Sequence, residues 1–223
     1  MNCRLLGFFS GFPNYRFPND VAKRLSEKLI HRNNLVFVSA WPTDYDKNDS
    51  DSDGMHNMFV EYNIPFAQHC VIDNRMEASK AIQLIHEASC VFLMGGYPGL
   101  QLQLIRDKGL DNAICDTTAA VLGVSAGAIN MAKRSLDTKE SPIPYDGLGL
   151  ADITVKPHFE LKNQQVLSTL LEISIELPIC AMEDESAIFV KGDSISYIGK
   201  IHLVNKGEIC PISQENLSML ITR

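Results

Sequence analysis

Ala120-Val121-Leu122-Gly123-Val124-Ser125-Ala126-Gly127-Ala128-Ile129-Asn130-Met131-Ala132 reads as a buried strand, a turn of small residues and then a helix. A serine in such a turn is lifted clear of the sheet, and a side chain at Gly123 or Gly127 would collide with the approaching helix. The helix that follows aims its free N–H groups and its dipole at the same spot, which favours developing negative charge. Ala126 N–H is therefore a natural oxyanion donor. The same residues would also suit a serine that only caps a helix.

Upstream of this segment, short apolar runs at Arg4 to Ser10, Leu35 to Trp41, Gln68 to Ile72 and Cys90 to Met94 are bounded by Gly, Pro or polar residues. Val121 to Val124 makes a fifth. Between them, Asn19 to Arg32 and Met76 to Ala88 place apolar residues at helical spacing, and Pro98 to Lys108 and Asp111 to Ala120 supply two more short helices. Strands alternating with crossover helices predict a three-layer α/β/α sandwich with a mostly parallel central sheet. Beyond the Ser125 helix the pattern shifts to Val155, Ile188 to Lys191, Ser196 to Ile198 and Ile201 to Val204, with turn signals at Lys191-Gly192-Asp193 and Asn205-Lys206-Gly207. That predicts antiparallel hairpin strands late in the chain. With 223 residues, 45% of them hydrophobic, and no linker or repeat, residues 1–223 read as a single domain.

The net charge of -7 argues against a nucleic-acid partner, because it repels phosphate backbones. No stretch approaches the roughly 18 apolar residues of a membrane span. Met1 to Arg4 leads into a short apolar run without the pattern of a signal peptide, so the expected location is the cytoplasm. Six dispersed cysteines, Cys3, Cys70, Cys90, Cys115, Cys180 and Cys210, lack the spacing of a zinc or redox pair and read as buried free thiols. No metal or organic cofactor is required. The expected assembly is a monomer or homodimer.

Asp49-x-Asp51-x-Asp53-Gly54 copies the start of a calcium-binding loop, but its twelfth position is Val60 in place of the closing Glu. Asp44 to Asp53 therefore reads as a solvated loop after the second strand.

A second glycine cluster, Met94-Gly95-Gly96-Tyr97-Pro98, follows the strand expected beside the elbow and brings Gly96 N–H to the sheet edge as a second oxyanion donor. A plain strand-to-helix turn would use the same residues. Ser125 also needs a base. His31 and His86 sit late in helices, His56 in a polar loop, and His69 and His202 within strand-like runs. His158, after Lys156-Pro157, follows a short strand and a proline, where a rigid turn can present the ring toward a site, and pattern alone favours it only slightly over the others.

Together these segments resemble the peptidase E group, which includes α-aspartyl dipeptidase and the cyanophycinases. The resemblance is carried by Met94-Gly95-Gly96, Gly123 to Ala128, Ser141-Pro142-Ile143, Leu148-Gly149-Leu150, Lys156-Pro157-His158-Phe159 and Glu183 to Gly192, and it spans Leu5 to about Gly199. It implies a fold similar to class I glutamine amidotransferases, with serine in place of cysteine. It implies Ser125 as nucleophile, His158 as base, Gly96 and Ala126 as oxyanion donors, and a small peptide as substrate. For the acid, the family pattern offers Glu140 or Asp184, with Glu140 preferred.

This chain departs from the pattern at Tyr97-Pro98, where relatives carry Asn-Thr, and at Leu136, where many aspartyl dipeptidases place an arginine. Arg134 is two residues away from that position. A strong preference for an amino-terminal Asp is therefore not expected. Two other readings share the sequence features: an esterase of α/β-hydrolase type, disfavoured because His158 lies only 33 residues after Ser125, and a non-catalytic protein that binds a small molecule or a partner.

Overall fold

The computed structural model describes residues 4–221, with side chains to Leu217. In chain order the elements are β1 (Leu5–Phe9), α1 (Asn19–Lys28), β2 (Asn34–Val38), α2 (Tyr45–Glu61), β3 (Gln68–Ile72), α3 (Ala78–His86), β4 (Cys90–Leu93), α4 (Pro98–Asp107), α5 (Asp111–Asp116), β5 (Ala120–Val124) and α6 (Ala126–Met131). They continue with β6 (Arg134–Ser135), β7 (Tyr145–Asp146), β8 (Thr154–Lys156), α7 (Gln164–Ile173), β9 (Ile179–Met182), β10 (Ala187–Lys191), β11 (Ser194–Ile198), β12 (Ile201–Asn205), β13 (Glu208–Pro211) and α8 (Gln214–Ile221).

Among the described residues, the main sheet has the order β11-β10-β1-β5-β4-β2-β3. Strands β1 to β5 run parallel, while β10 and β11 add an antiparallel hairpin at the β1 edge. Alternation along the strands explains the layers. Leu5, Phe9, Leu35, Phe37 and Phe92 face one side, where Val21 and Leu25 of α1 and Met58 and Phe59 of α2 cover them. Leu6, Phe8, Val36, Val38 and Val91 face the other, against residues of α3, α4, α5 and α6. This is the expected α/β/α sandwich with a mostly parallel sheet. A second sheet, β13-β12-β9-β8, packs Ile179, Ala181 and Val204 around Leu136, Phe159 and Leu170. Its β12–β13 hairpin and the β10–β11 hairpin are the late antiparallel strands read from the turn signals.

Asp44 to Asp53 is not a loop. Asp44 caps α2, its side chain accepting from Lys47 N–H at 3.3 Å, and the acidic run forms the first half of a 17-residue helix. The three aspartates diverge to separate partners: Asp49 to Arg75 (2.6 Å), Asp51 to Lys47 (2.9 Å) and Asp53 to His69 (2.8 Å). His56, expected in that loop, lies on the same helix and stacks on His69. What holds α2 is burial of Met58 and Phe59, together with Asn48, which accepts from Ser39 Oγ and donates to Trp41 O and Asp73. These are tertiary contacts that a reading of local charge cannot contain.

Cys90 and Cys180 are buried and Cys70 is half-buried, but Cys115 and Cys210 are exposed, so the expectation of buried thiols fails at those two. Cys3 lies outside the described residues. No helix among the described residues is long and apolar enough to cross a membrane.

Candidate active site

Ser125 follows β5 directly and sits at φ 52°, ψ -108°, a left-handed backbone that a serine adopts only under constraint. Its N–H donates to Phe9 O (3.0 Å) on β1, and its carbonyl accepts from Ile129 N–H (3.0 Å) inside α6. The flanking glycines are sterically required. A Cβ on Gly123 would stand 2.6 Å from Met131 Sδ, and one on Gly127 would strike the Leu93 carbonyl of β4. The turn is thus clamped between the ends of β1 and β4.

His158 comes from the other sheet. Pro157 ends β8, and His158 turns back at φ 53° with its N–H donating to the buried Ser10 Oγ (2.8 Å). The ring then bridges two side chains: Nε2 is 2.8 Å from Ser125 Oγ, and Nδ1 is 2.6 Å from Asp184 Oδ1. Asp184 accepts only through the N–H form of Nδ1, which leaves Nε2 as the acceptor for the serine hydroxyl.

Asp184 lies on the tight connection between β9 and β10, where Glu185 is at φ 65° and donates its N–H to Gly11 O. Ser10 and Gly11, the two residues after β1, therefore stand between the Ser125 turn and Asp184. Ser10 Oγ donates to Met182 O (3.0 Å) while accepting from His158 N–H. A Cβ on Gly11 would overlap His158 Cε1 and come within 2.6 Å of Asp184 Oδ1. Neither residue was singled out from the sequence. Their position at the carboxyl end of a strand neighbouring the elbow strand is the signal that could have found them.

Glu140, the acid preferred from sequence, makes no hydrogen bond to His158, whose Nδ1 is already taken by Asp184. Glu140 instead lines the cavity in front of Ser125, on the loop between β6 and β7. That cavity, about 450 Å³, is also lined by Trp41, Gly96, Tyr97, Asp137, Lys156 and His158. Gly96, at φ 143°, cannot carry a side chain, because a Cβ would sit 2.5 Å from Trp41 Nε1. Its backbone reaches the same cavity as Ser125, and Ala126 opens α6, where first-turn N–H groups have no intrahelical acceptor. Tyr97 packs edge-on against Trp41 with centroids 4.5 Å apart, forming an aromatic rim.

The cavity holds a cation that the sequence reading did not place there. Leu136 is fully buried, and Arg134 is turned away to Asp146 and Pro144 O. Lys156, at the end of β8, is only 7% exposed, lines the cavity and donates to Pro157 O at 2.6 Å. Burial, reinforced by the charge of Lys139, pulls its ammonium down to about 8, although Asp137 and Asp184 hold it up. Asp137, also buried, accepts from Lys139 N–H at 3.1 Å and forms no ion pair among the described residues. The remaining histidines are engaged elsewhere or lie away from the site: His56 and His69 stack together, and His202 meets Glu183 at 3.1 Å. Among the described residues no group of three or more His, Cys, Asp or Glu could hold a metal ion.

Residues 20–198 match the model of peptidase family S51. The chain belongs to peptidase family S51. It is accordingly a serine-type peptidase, and the sandwich is the fold of such proteins. A peptidase from an acI-B1 Actinobacterium superposes with a TM-score of 0.73 at 16% identity, covering 95% of this chain and 94% of that one. A protein assigned to peptidase E from Listeria monocytogenes EGD-e superposes with a TM-score of 0.65 at 18% identity, covering 87% and 98%. At such identities the likeness speaks for the fold alone. A search among curated proteins finds no match. Within the S51 frame, the resemblance read from the glycine clusters and the Lys-Pro-His-Phe segment stands.

Proposed function

We propose that this S51 peptidase cleaves short peptides through a Ser125-His158-Asp184 triad carried by a single domain. The observation that supports it most is the continuous chain of two short hydrogen bonds from Ser125 Oγ through the imidazole to Asp184. Ser125 Oγ attacks the scissile carbonyl while Nε2 takes its proton, and Asp184 fixes the tautomer and stabilises the imidazolium. The developing oxyanion is received by the N–H groups of Gly96 and Ala126. The imidazolium then gives the proton to the leaving amine. The acyl-enzyme is released by water, which the same imidazole activates.

The cavity of about 450 Å³ is sized for a small ligand and not for a folded protein. The buried Asp137 and Lys156 within it suit charged groups of a short peptide, since each otherwise lacks an ion-pair partner. The test is a fluorophosphonate probe, which labels Ser125 in the wild type and nothing in Ser125→Ala, run beside hydrolysis of a dipeptide panel. Absence of labelling in a folded wild-type protein rules out the triad.

A further inference from the structure

A second cavity lies across the Gly95-Gly96 turn from the one that receives the Ser125 hydroxyl. It measures about 540 Å³, and Phe12, Met55, Met58, Met94, Gly95 and Val124 form its apolar lining. No described residue lines both cavities, yet Gly95 and Val124 in this one are chain neighbours of Gly96 and Ser125 in the other. A Cβ built on Gly95 would stand 3.6 Å from Ser125 Cβ. The apolar cavity therefore begins one residue away from the nucleophile.

One wall is a single face of α2, running from Lys47 through Ser50, Gly54 and Met55 to Met58. Gly54 sits within this helix, where glycine is less favourable than alanine. Packing does not demand it: its φ is ordinary, and an added Cβ would meet no atom within 4 Å. The consequence of Gly54 is a notch in the helix face over the cavity. The three methionines give that space a deformable apolar surface. The charged residues at its border, Lys47 and Asp51, are paired with each other at 2.9 Å and so present no free charge to an occupant.

Successive side chains of an extended peptide point to opposite sides. A peptide with its scissile carbonyl at Ser125 can thus direct one flanking side chain into the charged cavity and the next into the apolar one. We infer that the methionine-lined cavity is a subsite for an apolar side chain of leucine or phenylalanine size next to the scissile bond. This rests on the reading of Ser125 as the reacting residue and adds the class of substrate that the site takes.

The experiment reads binding without turnover, in a Ser125→Ala background, by calorimetry with Ala-Leu, Leu-Ala and Ala-Ala. Gly54→Ala and Gly54→Leu both raise helix propensity, so both variants fold, and melting curves verify it. Filling the notch with Gly54→Leu weakens one of the two leucine peptides about tenfold relative to Ala-Ala, the scale of a lost apolar side-chain pocket. Gly54→Ala moves affinity in the same direction by less. An unchanged or uniform response across the three peptides overturns the inference, as does a lack of leucine-peptide binding at millimolar concentration. Failure of the fluorophosphonate labelling, in contrast, counts against the triad and leaves this binding result standing.

Discussion

Asp184 Oδ1 lies 2.6 Å from His158 Nδ1, and the residue against which this pair is seated is Gly11. In the proposed triad the acid that orients the base thus comes from the β9–β10 connection, while Glu140 lines the cavity in front of Ser125. Asp184→Asn should therefore lower kcat/KM by about 10⁴-fold with the fold intact, because the amide no longer imposes the productive tautomer. Glu140→Gln should cost less than about tenfold, or 1.4 kcal/mol. Steady-state kinetics on both variants decides, and the reverse order would return the role to Glu140.

Gly11→Ala isolates geometry from chemistry. Gly11 lies outside the left-handed region of the backbone, so alanine is not strained there, and the atoms nearest the new methyl belong to His158 and Asp184. A displacement near 1 Å at reacting groups is worth about 10²-fold in rate. Turnover and fluorophosphonate labelling should fall together by at least that factor while the melting temperature shifts little. Retained turnover would mean the pair is not held as described.

Ser10→Ala acts on the same pair from behind. It leaves His158 N–H without its partner, while Met182 O keeps its bond from Phe159 N–H, and an unmet group of this kind costs about 1–3 kcal/mol of stability. Denaturant unfolding measures that loss. kcat should drop with KM nearly unchanged, since Ser10 Oγ reaches the His158 backbone and, at 3.5 Å, Asp184 Oδ1, and does not line the cavity; a pure KM effect would contradict this placement.

Lys156 makes stability depend on pH. Its ammonium is pulled from 10.5 in the open chain down to about 8 in the fold. Between those values the unfolded chain holds a proton that the folded protein has released, so this group makes stability rise with pH across that window. Lys156→Met removes the effect. The variant should be more stable than wild type at pH 7 by up to roughly 3 kcal/mol, with the advantage narrowing as pH climbs from 8 towards 10.5. Urea unfolding of both proteins at several pH values tests it, and a pH-independent difference rejects it.

The charges in the cavity also bear on specificity. Lys156 can face a substrate carboxylate, but Asp137 and Glu140 line the same space and offset it, and among the described residues no arginine lines the cavity. Hydrolysis of Asp-Leu should exceed that of Ala-Leu by less than about a hundredfold, or 2.7 kcal/mol. A larger ratio would show that Lys156 alone governs the pocket.

The elbow was legible because it is local. Strand, turn and helix are specified within Ala120 to Ala132, and the need for small residues at Gly123 and Gly127 follows from the close approach of α6 and β4. The alternation of strands and helices upstream was legible for the same reason, each period lying within one element. What escaped the sequence spans long separations or opposes local composition. Ser10 meets His158 across 148 positions, and Asp184 reaches it only because β1 is inserted between β10 and β5, which brings the residues after β1 between Asp184 and Ser125. Lys156 lines the cavity because β8 ends beside it in the second sheet, and the acidic run from Asp44 became helix because Met58 and Phe59 further along could bury against the main one. The sequence by itself determined the Ser125 turn and the sandwich, since both are written in short-range pattern. Which carboxylate meets His158, and which side chains line the cavity in front of Ser125, was decided by the order of strands in the sheet, which sets the neighbours of a side chain that chain distance leaves open.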